Sequence, residues 1–260
     1  MLQFPPVPPG DRIKISATNF AVFQQCPESA AARLQGRYGP DTLPAFAGGL
    51  AHRVFARHLS GGPIAPEDLP RVCRQEIGSS TLNLKLASVR LKPSSLAQVV
   101  EEVGALYERF RKMPTDGFEA AEVHLEVEPW PDVLLVGSVD AVFHNEGNGT
   151  RLVDWKTGDL GELVSAQLRF YALLWALERG EAPQAVEAVS VRTGERVAEH
   201  PSAADLSGTA ERVAEMVERL RRAWSRDESL ERYGGPWCRY CPLLEECEEG
   251  RSTMRLMELS

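Results

Sequence analysis

Two short carboxylate-bearing stretches stand fourteen residues apart, Gly137-Ser138-Val139-Asp140 and Asp154-Trp155-Lys156. A lone aspartate in a half-exposed strand ordinarily faces solvent, and an Asp and a Lys two apart at a strand end ordinarily form a surface ion pair. The two stretches together read otherwise. Strand alternation puts Asp154 and Lys156 on one face, and antiparallel pairing across a turn at 146–149 brings both carboxylates and the ammonium together. Neighbouring carboxylates repel unless a cation lies between them. Hard oxygen donors with open positions suit Mg2+ or Mn2+. Such an ion lowers the pKa of bound water and neutralises charge developing on a phosphate. Lys156 is then placed to orient or deprotonate the attacking water, or to hold the phosphate.

Three further side chains belong to this reading. Gln167 and Tyr171 are four apart on a strongly apolar helical stretch, so they share a face that looks across the end of the Asp154 strand. Amide and phenol position a phosphate or a base; at this spacing they are more often a polar helix edge. His52 lies on a helix over 48–59, where imidazole can join an Mn2+ shell. His58, His124, His144 and His200 read as structural or surface residues.

The elements that must position these groups follow from periodicity. A Pro-rich leader, PPVPPG, cannot be helix or central strand. Ser16 or Thr18 caps a helix over 19–25, and a second helical run covers 29–38. The 48–59 helix carries Leu50, Val54, Phe55 and Leu59 on one stripe. Residues 66–92 read as short helical pieces, and a helix from Ser94 or Ser95 runs to Lys112. Then the period changes to two: strands are expected at 123–127, 133–143 and 151–155. A helix over 162–179, strands at 185–192 and 196–199, and a long charged helix over 202–224 complete the order. It is that of a mixed α/β domain with helices on the faces of a central sheet.

The chain has 260 residues, 43% hydrophobic and 25% charged, with a net charge of −8. That is ample for a core and excludes global disorder. The acidic total argues against a broad basic coat for nucleic acid but not against a local groove. Residues 1–60 are locally basic, and Arg33, Arg37, Arg53, Arg57 and Arg169 are candidates to line such a path. No stretch reaches the length of a membrane span, and the start lacks the pattern of a signal peptide, so a cytoplasmic protein is expected. Five cysteines occur. Cys73 reads as a small buried hydrophobe, while Cys26 stands near the start and Cys238, Cys241 and Cys247 form C-x2-C-x5-C. In a reducing compartment such clustering points to metal, and four thiolates suit either Zn2+ or an iron–sulfur cluster.

Gly48-x3-His52, Gly137-x2-Asp140, Asp154-x-Lys156 and Gln167-x3-Tyr171 occur in the order found in RecB-like nucleases of the PD-(D/E)XK group. "LVDWKTG" with "QLRFYALLWA" closely resembles the third motif and Gln-Tyr helix of that group. The resemblance spans Cys26 to Cys247 and implies a restriction-endonuclease-like core over 1–260. A helical part would cover 1–115, the catalytic sheet and helix 116–200, and a helix with the cysteine cluster 201–260. By resemblance His52, Asp140, Asp154 and the Trp155 carbonyl bind Mg2+ or Mn2+, and Lys156 is the catalytic lysine. Gln167 and Tyr171 serve the adjoining substrate side. The cysteines resemble the one-plus-three set of AddB-type and CRISPR-associated relatives, implying a structural 4Fe-4S cluster on Cys26, Cys238, Cys241 and Cys247 that ties the two ends together.

What the resemblance implies is a metal-dependent exonuclease on single-stranded or end-exposed DNA, in repair, recombination or CRISPR adaptation. No Walker-type G-x4-G-K-[ST] segment accompanies it, so a helicase, recombination or CRISPR-adaptation partner would be a separate protein. Two other readings stand beside it: a partner-dependent DNA-binding subunit with little activity alone, and a zinc-stapled interaction module.

Overall fold

A computed structural model describes residues 4–86, 89, 92–145, 147 and 149–259. The elements in chain order are β1 (Ile13–Ser16), α1 (Ala17–Gln25), α2 (Pro27–Leu34), α3 (Leu43–Gly61), α4 (Leu69–Gly78), α5 (Leu82–Lys85) and α6 (Pro93–Phe110). They continue with β2 (Phe118–Trp130), β3 (Val133–Asn145), β4 (Gly149–Lys156), α7 (Val164–Arg179), β5 (Ala185–Ser190), β6 (Arg196–Glu199) and α8 (Ala203–Arg226). Two 3-10 turns and α9 (Glu248–Glu258) end the chain. The mixed sheet has the order β1-β3-β4-β5-β6, with β2 also on β3. No helix among the described residues is long and apolar enough to cross a membrane.

Helices cover both faces of the sheet. One core joins Ile13, Ile15, Leu125, Leu135 and Val186 to Phe20 of α1, Leu168 and Leu173 of α7, and Val213 and Leu220 of α8. The other joins Phe143, Val153, Trp155 and Val189 to Leu50 and Phe55 of α3, Val72 of α4, and Val103 and Phe110 of α6. β5, covered on both faces as strands with a parallel neighbour commonly are, is buried at every position, Glu187 and Ser190 included.

The arrangement around β3 matters most for the site. A strand has two edges, and β2 occupies one of them antiparallel from Trp130↔Val133 to Phe118↔Phe143. Two strands divide the other edge. β1 pairs parallel with its first half, ending at Ser16↔Val136, and β4 pairs antiparallel with its second half, beginning at Ala141↔Val153. Positions 137–140 therefore lie in a gap between β1 and β4.

The expected elements are present with shifted ends, and two were not anticipated. The strand β1 is only four residues long, and its alternation of Ile13 and Ile15 against Lys14 and Ser16 is too short to stand out beside the Pro-rich leader. α9 follows the cysteines in a polar stretch. The helix carrying His52 begins at Leu43 rather than at Gly48, because Thr42 caps it by accepting from the Ala45 N–H at 3.2 Å and Pro44 is tolerated in the first turn. Pro27 likewise starts α2 earlier than position 29, and the helix ends at Leu34 rather than at Tyr38. β5 stops at Ser190, two residues short. The turn expected at 146–149 joins β3 and β4 with Asn145 opposite Gly149; Glu146 and Asn148 lie outside the described residues, as do parts of 66–92.

Candidate active site

The gap in β3 holds Asp140, and the residues that meet it come from α3, β4 and α7. Asp140 accepts the Trp155 backbone N–H on Oδ2 at 2.6 Å, while its Oδ1 lies 3.0 Å from His52 Nδ1. Beside it, Lys156 Nζ is 2.6 Å from Asp154 Oδ2 and donates to Gln167 Oε1 at 2.8 Å. Asp154 Oδ2 is buried, and the Lys156 ammonium is its polar contact. Two carboxylates, an imidazole, an amine and an amide thus converge from four elements.

Motif glycines let the elements close. A Cβ at Gly137 would come within 2.8 Å of Leu174 and 3.0 Å of the Tyr171 ring, so only glycine lets α7 lie this close to β3 and bring Tyr171 over the gap. A Cβ at Gly48 would meet Thr157 Oγ1 at 3.0 Å. This allows α3 to approach the end of β4 and deliver His52, one turn further on.

The side chains perturb one another strongly. Burial would lower the His52 pKa, but the facing Asp140 carboxylate, with Asp154 and Glu122, raises it to about 8. Burial drives Asp154 above the usual carboxylate range, Lys156 opposing and Asp140 reinforcing the shift. Tyr171 is pushed far up by burial and by Asp154, Asp140 and Glu122, and stays a neutral phenol that can donate. Such clustered perturbation is typical of functional sites.

Glu122 is a member of this group that the sequence reading missed. Its neighbours Ala121 and Val123 pair with Ala141 and Val139, which sets Glu122 opposite Asp140. Its φ is +53° in mid-strand, a conformation that costs a non-glycine residue energy and that clusters at functional sites. Val139 and Ala141, two apart on β3, belong to opposite cores, so the strand changes face at Asp140. Burial and the Asp140 charge raise the Glu122 pKa, with His52 and Arg53 opposing. No local spacing marks a residue whose placement depends on a backbone irregularity.

The candidate path arginines are largely engaged by acids. Arg53 and Arg57 both bind Glu76, Arg37 pairs with Glu246 and Arg169 with Glu199. Arg33 lines an open groove beside β1. Of the histidines given a structural reading, His58 meets the Tyr107 hydroxyl at 2.9 Å and His200 the Gln184 carbonyl at 3.1 Å. Cys73 is buried, its thiol pushed up to about 11 by burial.

Cys26 and the distant triplet Cys238, Cys241 and Cys247 line one small cavity. Cys26 sits at the junction of α1 and α2, Cys238 lies within the first 3-10 turn, and Cys241 and Cys247 end the first and second turns. Two backbone amides aim at sulfur: Gly235 N–H to Cys238 Sγ at 3.4 Å and Gly250 N–H to Cys247 Sγ at 3.3 Å. Burial, followed by Cys241, Cys247 and Cys26 as neighbours, raises the Cys238 pKa. Among the described residues, no group of three or more His, Cys, Asp or Glu side chains stands at positions that would hold a metal ion as they are. The chemistry of both donor sets nevertheless fits metal. The buried Asp154 Oδ2, beside Asp140, is a hard oxygen donor; the two N–H···S contacts are local caps, and it is the four thiols gathered at one cavity that make a sulfur donor set.

No curated protein matches the chain. Among solved structures, "SSO0001" is 19% identical, with a TM-score of 0.36 and coverage of 76% of this chain and 94% of that one. A protein of Eubacterium rectale named "putative exonuclease" is 14% identical, with a TM-score of 0.47 and coverage of 90% and 87%. The family model described as "PD-(D/E)XK nuclease superfamily" matches residues 14–248, a span that includes all but the first residue of β1, the gap in β3, all the converging side chains and the four clustered cysteines. The chain belongs to the PD-(D/E)XK nuclease superfamily.

Proposed function

We propose that this protein is a metal-dependent deoxyribonuclease acting exonucleolytically on single-stranded or end-exposed DNA. The observation that carries the reading is the convergence of Asp140, Asp154 and Lys156 at the gap in β3, with Lys156 held between Asp154 and Gln167. Members of this superfamily hydrolyse phosphodiester bonds and use divalent ions. His52, Asp140, Asp154 and the Trp155 carbonyl would hold Mg2+ or Mn2+. When bound, the ion supplies a polarised water and countercharge for the phosphate.

The chain's own groups do the rest. The Trp155 N–H and His52 fix the Asp140 carboxylate, and the buried Asp154 carboxylate and Gln167 fix the Lys156 ammonium where it can exchange a proton with the attacking water. Tyr171, kept neutral, donates toward a phosphate oxygen. The aromatic and aliphatic walls behind Asp154 exclude bulk water and strengthen each of these interactions.

The four cysteines would hold a 4Fe-4S cluster with a structural role, remote from the phosphate chemistry. Their separation into one residue and a triplet, gathered at one cavity, supports that reading. The whole of 1–260 would act as one nuclease domain, working beside a separate helicase, recombination or CRISPR-adaptation protein.

The test is cleavage of end-labelled single-stranded and duplex DNA with Mg2+ or Mn2+, using protein purified without air beside its Lys156→Ala variant. Wild type is expected to give a ladder of shortened products, and the variant to be slower by about 10²- to 10⁴-fold, the worth of a positioned proton-transfer group. Equal rates would remove Lys156 from the mechanism. No cleavage by a folded, brown wild type would leave the reading of a partner-dependent subunit.

A further inference from the structure

An open groove of about 720 Å³ runs beside β1, lined in part by Lys14, Asn19, Arg33, Tyr38 and Trp224. A second groove of about 890 Å³ shares Arg33 and Tyr38 with the first and adds Tyr240 and the first turn of α3. The two share a wall at Arg33 and Tyr38 and together make a two-part trough. Tyr38 is 68% exposed and Tyr240 is 55% exposed, and among the described residues no ring contact covers either of them. Residues distant in sequence are brought together by a close backbone approach: a Cβ at Gly39 would lie 2.3 Å from the Tyr240 carbonyl oxygen. The Arg37–Glu246 ion pair ties the same two segments.

On a chain of net charge −8, the first groove is lined by Arg12, Lys14 and Arg33 against the single acid Asp11. Arg33 Nε is buried without a hydrogen-bond partner among the described residues. Two elements in the walls of the trough, β3 and α3, also carry residues of the proposed site. Val136, in its wall, is the last β3 residue paired by β1; it adjoins the gap and lies about 13 Å of strand from Asp140. Thr42 and Ala45, in the wall of the second groove, open the helix whose Gly48 touches Thr157 beside Lys156.

We propose that this trough binds single-stranded DNA, with Tyr38 and Tyr240 as stacking platforms for unpaired bases and Lys14 and Arg33 as phosphate contacts. Exposed rings spaced along a basic groove suit a single strand because every base offers a π-face, whereas a duplex keeps those faces stacked inside. The identity of the polymer rests on the nuclease reading; the site rests on the trough. One of the two platforms belongs to the cysteine-bearing segment, so that segment helps grip the strand as well as tying the chain ends.

The test is fluorescence anisotropy of a labelled oligo(dT) strand, with the full chain purified without air and no divalent ion added, so that no cleavage is needed. Tyr38→Ala and Tyr240→Ala should each weaken single-strand binding by about 5- to 100-fold. Tyr38→Phe and Tyr240→Phe, which keep the ring, should bind within about twofold of wild type, and Lys14→Ser should flatten the log–log salt slope by about 0.7. Binding unchanged by both alanine variants, or equal losses for single strand and blunt duplex, would overturn the proposal, as would tighter binding of the matching RNA. Tyrosine-dependent binding without any cleavage would sink the nuclease reading and leave the groove standing. Cleavage with tyrosine-independent binding would do the reverse.

Discussion

The gap in β3 and the cysteine module are both assembled from residues far apart in the chain, yet they are held in different ways. Asp140, Asp154 and Lys156 sit on strands of the six-stranded sheet, between two cores that bury Trp155 on one side and Leu168 on the other. The sheet would hold them in place whatever they bind. Cys238, Cys241 and Cys247 sit in or at the ends of short 3-10 turns outside the two main cores, with Trp237, Leu243 and Leu244 around them. Polar ties join them to the N-terminal helices: Glu28 accepts the Leu230 N–H at 2.7 Å and binds Arg232 at 3.3 Å, and Arg37 pairs with Glu246. Buried sheets are among the most stable parts of a fold, and short turns with exposed ion pairs are among the least. The first region can afford to be strained for chemistry; the second depends on what its sulfurs hold.

Crossing one substitution from each region tests this contrast, and the largest effect is expected in the module. Cys26→Ser removes the remote ligand and reopens a very long loop. By analogy with a cross-link closing such a loop, the loss is about 5 kcal/mol, on the order of 10 °C in Tm, with loss of bound iron. Asp154→Asn should leave Tm within about 2 °C of wild type, because it neutralises a carboxylate that burial already disfavours. Calorimetry with iron analysis reads both. If Cys26→Ser kept its iron and its melting temperature, or if Asp154→Asn unfolded the protein, the contrast would be wrong.

The same contrast governs what the sequence discloses. Asp154, Lys156, Gln167 and Tyr171 are legible because periods of two and of four residues fix their faces before any tertiary contact forms. The observed Lys156–Gln167 hydrogen bond follows directly from that geometry. Glu122 is not legible, since its aim depends on a left-handed residue inside a strand. The arginines are half legible. Their charge is plain, but the acids that engage Arg53, Arg37 and Arg169 are Glu76, Glu246 and Glu199, and no local pattern announces those partners. Helix α3 shows the same limit, as a proline at its start reads as loop until Thr42 is seen to cap it.

A smaller effect sharpens the comparison inside the gap itself. Gly137→Ala places a methyl against Leu174 and the Tyr171 ring, an overpacking expected to cost about 1–3 kcal/mol. It should also displace Tyr171 from the gap, so cleavage should fall more than stability explains. Thermal melting and single-turnover cleavage of the variant separate the two losses. A drop in Tm with unchanged turnover would mean that Gly137 serves packing alone.

The smallest expected effect lies where the gap meets the trough. Ser16 closes β1 and caps α1 by accepting the Asn19 N–H at 3.1 Å, and both Ser16 and Asn19 line the groove. Removing the hydroxyl in Ser16→Ala should cost about 1 kcal/mol, a few degrees of Tm. β1 is four residues long and paired along only one half of β3, so a frayed α1 start should loosen the gap's N-terminal rim before it touches the sheet. Hydrogen exchange should then rise at Lys14 and Asn19 while β4 amides stay protected. Equal acceleration in β1 and β4 would show that the rim and the sheet open as one unit, and that the gap is held no more rigidly than its edge.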